Sequence, residues 1–175
     1  MKLLLHVCCG PCAVYPVQVL KKENIDIHGI FFNPNIHPYL EYKSRLESAN
    51  LFCDNENILF EELDGYGLDS FLKKAVFAKN RCYECYDIRL ERIAIEAKER
   101  GFDAFSTTLL VSPYQKHEIL KCLGKEIGDK YKIEFLYRDF RDGFREGKQK
   151  ARDIGLYMQK YCGCIYSEKE RYLKQ

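Results

Sequence analysis

The 175-residue chain has no tryptophan, two methionines and five prolines, and its net charge is only +2. No apolar run approaches the roughly 18 residues that a membrane-spanning helix needs, so we expect no membrane association. The small net charge excludes the strong overall basicity typical of many nucleic-acid-binding proteins. No repeat, low-complexity tract or linker-like stretch divides the chain. Its length therefore predicts a single domain over residues 1–175.

The N-terminus lacks the pattern of a secretory signal. The stretch between Lys2 and Cys8 is shorter than the apolar segment of a signal peptide and has no small-residue cleavage site. The nine cysteines form an odd number, which argues against a fully paired extracellular framework. We therefore expect a cytoplasmic protein whose thiols are free or bound to metal.

Clustered cysteine is what the chain has in excess. Seven of the nine cysteines fall in three motifs, Cys8-Cys9-Gly10-Pro11-Cys12, Cys82-Tyr83-Glu84-Cys85 and Cys162-Gly163-Cys164. A structural zinc ion or a 4Fe-4S cluster takes four ligands, so seven thiols exceed one such centre by up to three. Because zinc would leave three thiols without a purpose, the pattern favours iron–sulfur. The isolated Cys53 and Cys122 are interpreted as small buried apolar residues.

Alternating apolar segments predict an α/β fold. Strands are predicted over residues 2–7, 25–32, 58–63, 102–109 and 132–137. Helices are predicted over 39–50, 69–78 and 147–160, with others beginning at Pro11 and Pro113 and one ending at Gly101. This alternation is typical of a three-layer, Rossmann-like parallel sheet, here of about five strands. Ligands of such sheets bind beyond the carboxyl ends of the strands, where the loop of Cys8 is expected.

Two residues without sulfur are also candidates for the site. His37 follows the second predicted strand and is the best functional candidate among the histidines, whereas His6 is expected to form local hydrogen bonds. Asp139 directly follows the fifth predicted strand and could supply an oxygen ligand or a proton. The alternatives are a local hydrogen-bonding role for His37 and a loop or capping role for Asp139.

A modest basic excess lies between residues 138 and 152, with six cations against three acids. These cations could contact the phosphates of nucleic acid, although a solvated helix face is favoured on charge alone. The candidates are Arg138, Arg141, Arg145 and Lys148.

Six motifs in a fixed order span nearly the whole chain. They are His6-Val7-Cys8-Cys9-Gly10-Pro11-Cys12, Phe32-Asn33-Pro34-Asn35-Ile36-His37-Pro38, Arg81-Cys82-Tyr83-Glu84-Cys85-Tyr86, Thr107-Thr108-Leu109-Leu110-Val111-Ser112-Pro113, Arg138-Asp139-Phe140-Arg141 and Tyr161-Cys162-Gly163-Cys164-Ile165-Tyr166-Ser167. Together they resemble the cobalamin-independent epoxyqueuosine reductases of the QueH family. The resemblance implies a fold related to the adenine nucleotide alpha hydrolase-like group, also called PP-loop or HUP. It also implies reductive removal of the epoxide oxygen of epoxyqueuosine at the wobble position of tRNA with GUN anticodons, the last step of queuosine synthesis.

The same resemblance implies a 4Fe-4S cluster and a second iron ion adjacent to it. We expect Cys9, Cys82, Cys85, Cys162 and Cys164 to bind the cluster and all seven clustered cysteines with Asp139 to supply the metal ligands. The predicted catalytic residues are Cys8, Cys12, His37 and Asp139, and the predicted tRNA contacts are Arg138, Arg141, Arg145 and Lys148. The sequence has no flavin, nicotinamide or cobalamin motif, so we expect an external low-potential electron donor such as a ferredoxin or flavodoxin.

Two alternatives remain open at this stage. An iron–sulfur PP-loop tRNA sulfur-transferase should carry a Ser-Gly-Gly-x-Asp-Ser loop after the first strand to bind ATP phosphates, but Cys-Cys-Gly-Pro-Cys stands there instead. A zinc-stabilised RNA-binding module would be a colourless protein with stoichiometric zinc after anaerobic purification. An iron–sulfur enzyme would instead be brown.

Overall fold

The computed structural model describes residues 1–173. Its strands are β1 (Lys2–His6), β2 (Asp26–Phe31), β3 (Leu59–Glu62), β4 (Ala104–Thr107) and β5 (Glu134–Phe135). Its α-helices are α1 (Gly10–Lys22), α2 (Tyr39–Asn55), α3 (Leu68–Ala75), α4 (Arg81–Glu99), α5 (His117–Tyr131), α6 (Phe144–Asp153) and α7 (Ile165–Tyr172). Two short 3-10 turns cover Thr108–Val111 and Arg141–Gly143. No helix in the described part of the chain is both long and apolar enough to cross a membrane.

The five strands form one parallel sheet in the order β3-β2-β1-β4-β5. The chain builds outward from β1 in one direction and then returns to build outward through β4 in the other. Helices cover the sheet, and the central strand β1 is buried from Leu3 to His6. The predicted α/β class with a Rossmann-like parallel sheet is therefore confirmed.

The reversal of strand order places a crevice between the carboxyl ends of β1 and β4, which is the usual ligand site of such sheets. The loop after β1 carries Cys8 and Cys9, and β4 leads directly into Thr108. A glycine is required where α1 begins, because a Cβ on Gly10 would lie 2.5 Å from the backbone oxygen of Ser48. The close approach of α1 to α2 fixes the position of the first cysteine motif.

Three sequence predictions about helices and strands are wrong in detail. Helix α6 ends at Asp153 rather than at residue 160, because Gly155 adopts a positive φ of 73° that terminates the helix. Helix α5 begins at His117 rather than at Pro113, since residues 112–115 form a hydrogen-bonded turn instead. Strand β5 has only two residues.

The two isolated cysteines have different environments. Cys53 is 1% exposed, which confirms its interpretation as a small buried residue. Cys122 is exposed, which corrects the same interpretation for that residue. Helix α5 buries Leu120, Leu123 and Ile127, and Cys122 falls outside this helical stripe.

Candidate metal centre and active-site cavity

The first cysteine motif forms a compact group of three buried thiols, here called the thiol trio. The Sγ atoms of Cys8, Cys9 and Cys12 all lie within 4.8 Å of one another, and those of Cys8 and Cys9 are 3.8 Å apart. The extended Cys9 precedes α1, whose first turn supplies Cys12. Strand β1 and helix α1 thus place three soft ligands at the crevice between β1 and β4.

Two polar side chains hold the trio. The Thr108 hydroxyl accepts a hydrogen bond from the Cys8 backbone N–H at 3.1 Å and donates one to Cys8 Sγ at 3.4 Å. The Gln159 side-chain amide donates to Cys9 Sγ at 3.0 Å and to Cys12 Sγ at 3.3 Å. The Gln159 Oε1 atom is buried and has no hydrogen-bond partner among the described residues. This oxygen can therefore accept a hydrogen bond from a bound molecule or water.

The trio favours negative charge on Cys8. Hydrogen bonds from the thiols of Cys12 and Cys9, and from Thr108, hold the pKa of Cys8 well below its ordinary value, although burial opposes them. Burial raises the pKa of Cys9, and the hydrogen bond to Cys8 raises that of Cys12. One thiolate stabilised by two neighbouring thiols is a favourable starting point for binding a cation.

The central cysteine motif lies in the first turn of α4, as the sequence predicts. Asn80 caps this helix by accepting a hydrogen bond from the Tyr83 backbone N–H at 3.2 Å. Cys85 is buried, and Cys82 is half-buried.

The C-terminal motif approaches the central one, and Cys82, Cys85, Cys162 and Cys164 are here called the four-cysteine group. Burial, together with the charges of Cys162, Cys164 and Cys82, raises the pKa of Cys85 to about 12. Cys85 and Cys164 also belong to one small apolar cluster with Phe71. The structure therefore brings the predicted central and C-terminal motifs together, about 80 residues apart in sequence.

Arg89 links this group to the thiol trio. The side chain is 2% exposed, and it donates from Nε to the Cys85 backbone oxygen at 2.9 Å and from Nη2 to Cys85 Sγ at 3.1 Å. Burial alone would lower the pKa of Arg89, but the nearby charges of Cys85, Cys162 and Cys8 raise it. A buried guanidinium without a carboxylate partner needs negative charge nearby, which metal-bound thiolates would supply.

A second buried guanidinium, Arg45, anchors the C-terminal motif. Its Nη1 donates to the backbone oxygen of Cys162 at 2.9 Å and its Nη2 to that of Tyr161 at 2.8 Å. The same side chain pairs with Glu41 at 2.7 Å. Gly163 has a φ of 139°, and a Cβ there would lie 3.2 Å from Arg45 Nη1. Glycine between the two cysteines thus allows the backbone to pass close to Arg45.

A cavity of about 670 Å³ opens beside both cysteine groups. This volume lies within the usual range for small-molecule sites. Its lining includes four cations and no acid. The residues that line it are Cys8, Cys12, Leu109, Ser112, Tyr114, Gln115, Phe144, Lys148, Arg152, Met158, Gln159, Lys160, Tyr161, Cys162 and Arg171.

The cavity has an aromatic rim. Tyr114 is 81% exposed and packs edge-to-face against Phe144 with a centroid distance of 5.8 Å. The ammonium group of Lys148 lies 5.0 Å from the centre of the Phe144 ring. Exposed aromatic rings beside cations are suited to contact with the bases and phosphates of single-stranded nucleic acid.

His37 and Asp139 are not among the residues that line the cavity. His37 is 1% exposed and its Nε2 is 3.0 Å from the backbone oxygen of Pro34, while burial lowers its pKa. Asp139 is exposed and forms a bidentate pair with Arg141, whose hydrogen bonds lower the pKa of Asp139 to about 2. Their predicted catalytic roles remain predictions. His6 forms the expected local hydrogen bonds, at 2.9 Å to Thr107 and 3.2 Å to Asn33.

The predicted tRNA contacts lie in different settings. Lys148 lines the cavity and Arg145 is exposed in the same helix, α6. Arg138 pairs with Glu23 at 3.5 Å, and Arg141 pairs with Asp139. Of the four, only Lys148 is among the residues that line the cavity.

Several residues of the site are absent from the sequence predictions. Arg152 lies inside the basic stretch that the sequence analysis noted, so charge alone could have identified it. Nothing in the sequence indicated that Gln159 contacts the cysteines, because the predicted helix over 147–160 would have placed it on a helix surface. Arg45, Arg89, Lys160 and Arg171 resemble ordinary solvated cations until tertiary contacts are known.

Comparisons with known proteins identify the family of the chain. The family model described as epoxyqueuosine reductase QueH matches residues 3–170. An epoxyqueuosine reductase QueH of Dehalococcoides mccartyi is 34% identical over 174 residues, which cover 99% of this chain and 96% of that protein. One of Thermotoga maritima is 34% identical over 182 residues, which cover 97% and 91%.

Solved structures support the fold. The predicted subunit of a tRNA methyltransferase from Methanocaldococcus jannaschii superposes with a TM-score of 0.57 at 15% identity, covering 87% of this chain and 74% of that one. A likeness at this identity concerns the α/β fold alone. The family match and the two relatives instead extend over nearly the whole chain, including all three cysteine motifs. The chain therefore belongs to the QueH family of epoxyqueuosine reductases.

Proposed function

We propose that this protein reduces the epoxide of epoxyqueuosine in tRNA to the cyclopentene of queuosine. The observation that carries the proposal is a cavity at the crevice between β1 and β4 where cysteine thiols meet four cations and no acid, in a chain of the QueH family. The cations suit the phosphates of tRNA, and the thiols suit a metal centre with redox chemistry. The sulfur-transferase and zinc-module alternatives are not favoured by this family membership.

The thiol trio fits a single metal ion. Metal–sulfur bonds of about 2.3 Å in a tetrahedral site place two sulfur atoms about 3.8 Å apart. The Sγ atoms of Cys8 and Cys9 are 3.8 Å apart, and all three thiols lie within 4.8 Å. Three protein ligands leave a fourth position open, and Cys8 and Cys12 line the cavity. We infer that the trio holds the second iron, with its open position facing the substrate.

The four-cysteine group fits a 4Fe-4S cluster. Among the described residues, the trio is the one set of three or more potential ligands within 4.8 Å, so the four-cysteine group is more widely spaced. A cubane cluster binds each of four thiolates to a different iron, which suits wider spacing. This division moves Cys9 from the cluster, where the sequence analysis placed it, to the single ion.

The reaction removes one oxygen with two electrons and two protons. Both carbon–oxygen bonds of the epoxide break, a carbon–carbon double bond forms, and the oxygen leaves as water. When bound, the metal groups would supply Lewis acidity toward the epoxide oxygen and the electrons.

The chain's own residues orient the thiols and supply protons. Thr108 and Gln159 fix the thiol trio by hydrogen bonds. Lys148 and Lys160 line the cavity with transferable protons, whereas arginine cannot be deprotonated in proteins. The Tyr161 hydroxyl already donates to the His37 backbone oxygen at 2.5 Å. We therefore assign proton delivery to the lysines of the cavity wall.

The cavity cations are proposed to bind the tRNA backbone around the modified nucleotide. They comprise Lys148, Arg152, Lys160 and Arg171. Tyr114, at the exposed rim, is suited to stack on a neighbouring base. Of the contacts predicted from sequence, Lys148 belongs to this set, and Arg145 on the same helix could extend it.

The test is an anaerobic assay of the iron- and sulfide-reconstituted protein with dithionite on tRNA that contains epoxyqueuosine, followed by nucleoside mass analysis. We expect the modified nucleoside to lose the mass of one oxygen. Cys12→Ser should abolish turnover, because it removes a thiol from both the trio and the cavity wall. Cys122→Ser is the matched control, since Cys122 is exposed on α5 and should leave turnover unchanged. An unchanged nucleoside mass with the fully loaded wild-type protein would overturn the proposal.

A further inference from the structure

An exposed apolar tip precedes the central cysteine motif. Between α3 and α4, Val76 is 49% exposed and Phe77 is 94% exposed. The neighbouring Phe71 and Ala75 are buried, so the segment is anchored while its tip faces solvent. A phenylalanine this exposed loses most of the favourable free energy that its burial would give. Covering this tip would therefore favour association with a partner.

Cations flank the tip in sequence. From Ser70 to Tyr83 the chain has four cations and no acid. Lys73, Lys74 and Lys79 are exposed, and none forms a salt bridge with any residue between 1 and 173. The fourth cation, Arg81, pairs with Glu170. Three lysines around an apolar tip are complementary to an acidic surface with an apolar centre.

The tip lies next to the central cysteine motif and outside the cavity. The segment leads directly into Cys82, which is half-buried at the start of α4. None of the residues that line the cavity lies between Val76 and Cys85. The four-cysteine group nevertheless reaches the cavity through Cys162. A partner on the tip would therefore lie beside this group while the cavity stays open to substrate.

We propose that Val76, Phe77, Lys73, Lys74 and Lys79 form the docking surface for a small acidic electron-transfer protein. The inference rests on the proposed function, which needs two electrons from outside the chain. Each encounter oxidises the donor by one electron and reduces the centre held by the four-cysteine group by one, so two encounters serve one epoxide. Phe77 beside lysines could also contact RNA, but the cations assigned to the substrate lie in the cavity, whereas this surface leads directly into Cys82 of the four-cysteine group. We therefore assign it to the electron donor.

The experiment uses the reconstituted protein and an acidic bacterial ferredoxin. The test variants are Phe77→Ser, which removes the apolar contact, and the triple variant Lys73→Glu/Lys74→Glu/Lys79→Glu, which removes the charge complementarity. Each should weaken ferredoxin binding and raise the KM for ferredoxin by about tenfold or more. Binding is measured directly with fluorescently labelled ferredoxin at low and high salt. With dithionite, which needs no docking surface, turnover should stay within about twofold of wild type. Leu59→Ser and Lys125→Glu are matched controls, because Leu59 is 73% exposed on β3 and Lys125 is exposed on α5.

The outcomes separate this proposal from the function on which it rests. Absence of dithionite turnover in the wild type would overturn the proposed function. Normal dithionite turnover with ferredoxin binding unaffected by the variants, or with no binding to the wild type, would overturn the docking surface alone. Weakened tRNA binding with unchanged ferredoxin binding would assign the surface to RNA and also overturn the proposal.

Discussion

Replacing Arg45 by methionine should destabilise the protein by about 3–5 kcal/mol, the usual cost of removing one partner from a buried ion pair. Arg45 and Glu41 are 2% and 9% exposed, and they pair at 2.7 Å within α2. Methionine keeps most of the length of the side chain but removes its charge and all of its donors. The Glu41 carboxylate then stays buried with only the Tyr157 hydroxyl, at 2.5 Å, as a donor.

The backbone of the C-terminal motif contributes a second part of the loss. The carbonyl oxygens of Cys162 and Tyr161 accept from Arg45 at 2.9 and 2.8 Å. Each orphaned buried acceptor costs about 1–3 kcal/mol. Adding Glu41→Gln to Arg45→Met should recover about 0.5–3 kcal/mol, because the neutral amide removes the unpaired charge but not the orphaned carbonyls. The double variant should therefore remain less stable than wild type.

The assay is urea unfolding of the metal-free, thiol-reduced protein, followed by circular dichroism. Metal must be absent because its binding would add to the apparent stability. Lys43→Gln is the matched control, since Lys43 pairs with Glu47 at the same i,i+4 spacing in α2 but both side chains are more than half exposed. An exposed pair of this kind contributes about 0.3–0.5 kcal/mol.

Hydrogen exchange over residues 157–164 complements the unfolding curve. It reports whether the C-terminal motif opens locally before the rest of the chain unfolds. A loss below about 1 kcal/mol for Arg45→Met, the upper range for a surface pair, together with unchanged exchange in this segment, would refute the anchoring role.

Two further predictions concern the metal centres and Asp139. After anaerobic reconstitution, Cys85→Ser should lose acid-labile sulfide but keep a single metal ion, whereas Cys9→Ser should keep the sulfide and lose the single ion. Equal loss of sulfide in both variants, measured with iron content, would contradict the assignment of two separate centres. Arg141→Gln should raise the pKa of Asp139 from about 2 towards the ordinary value of about 3.9, because it removes the hydrogen bonds that stabilise the carboxylate. A carboxyl NMR titration measures this, and an unmoved midpoint would show that Arg141 is not the cause.

Much of the fold follows from local patterns in the sequence. The strand predictions overlap all five observed strands, and β1, β2 and β4 are the short, largely buried apolar runs typical of parallel strands. The start of α5 was wrong because a competing local interaction intervenes. The Ser112 side chain accepts a hydrogen bond from the Tyr114 backbone N–H at 3.3 Å, and the Ser112 backbone oxygen accepts one from the Gln115 backbone N–H at 3.2 Å, so residues 112–115 form a turn. The helix signal at Ser112 and Pro113 is therefore not used.

Site residues could be predicted from the sequence only where they occur in short motifs of recognisable chemistry. Tight spacing within each motif identified the cysteines as candidate metal ligands, and the family resemblance implied that the separate motifs share one metal site. Gln159 could not be found, because it lies in the irregular segment after Gly155 and meets the trio only in the folded chain. The Glu41–Arg45 spacing is typical of a solvated helical pair, and nothing local distinguishes it from Lys43–Glu47.

The two buried arginines, Arg45 and Arg89, are residues of the site that the sequence does not reveal. A buried guanidinium needs compensating negative charge, and Arg45 obtains part of it from Glu41. Arg89 has no carboxylate partner among the described residues, and its side chain donates to the backbone oxygen and thiol of Cys85. Cys85 belongs to the four-cysteine group, and four thiolates on a 4Fe-4S core would give that centre a net negative charge, which neutral thiols do not have. The burial of Arg89 therefore favours a site that carries thiolate charge in its working state over one that serves only to pack the core.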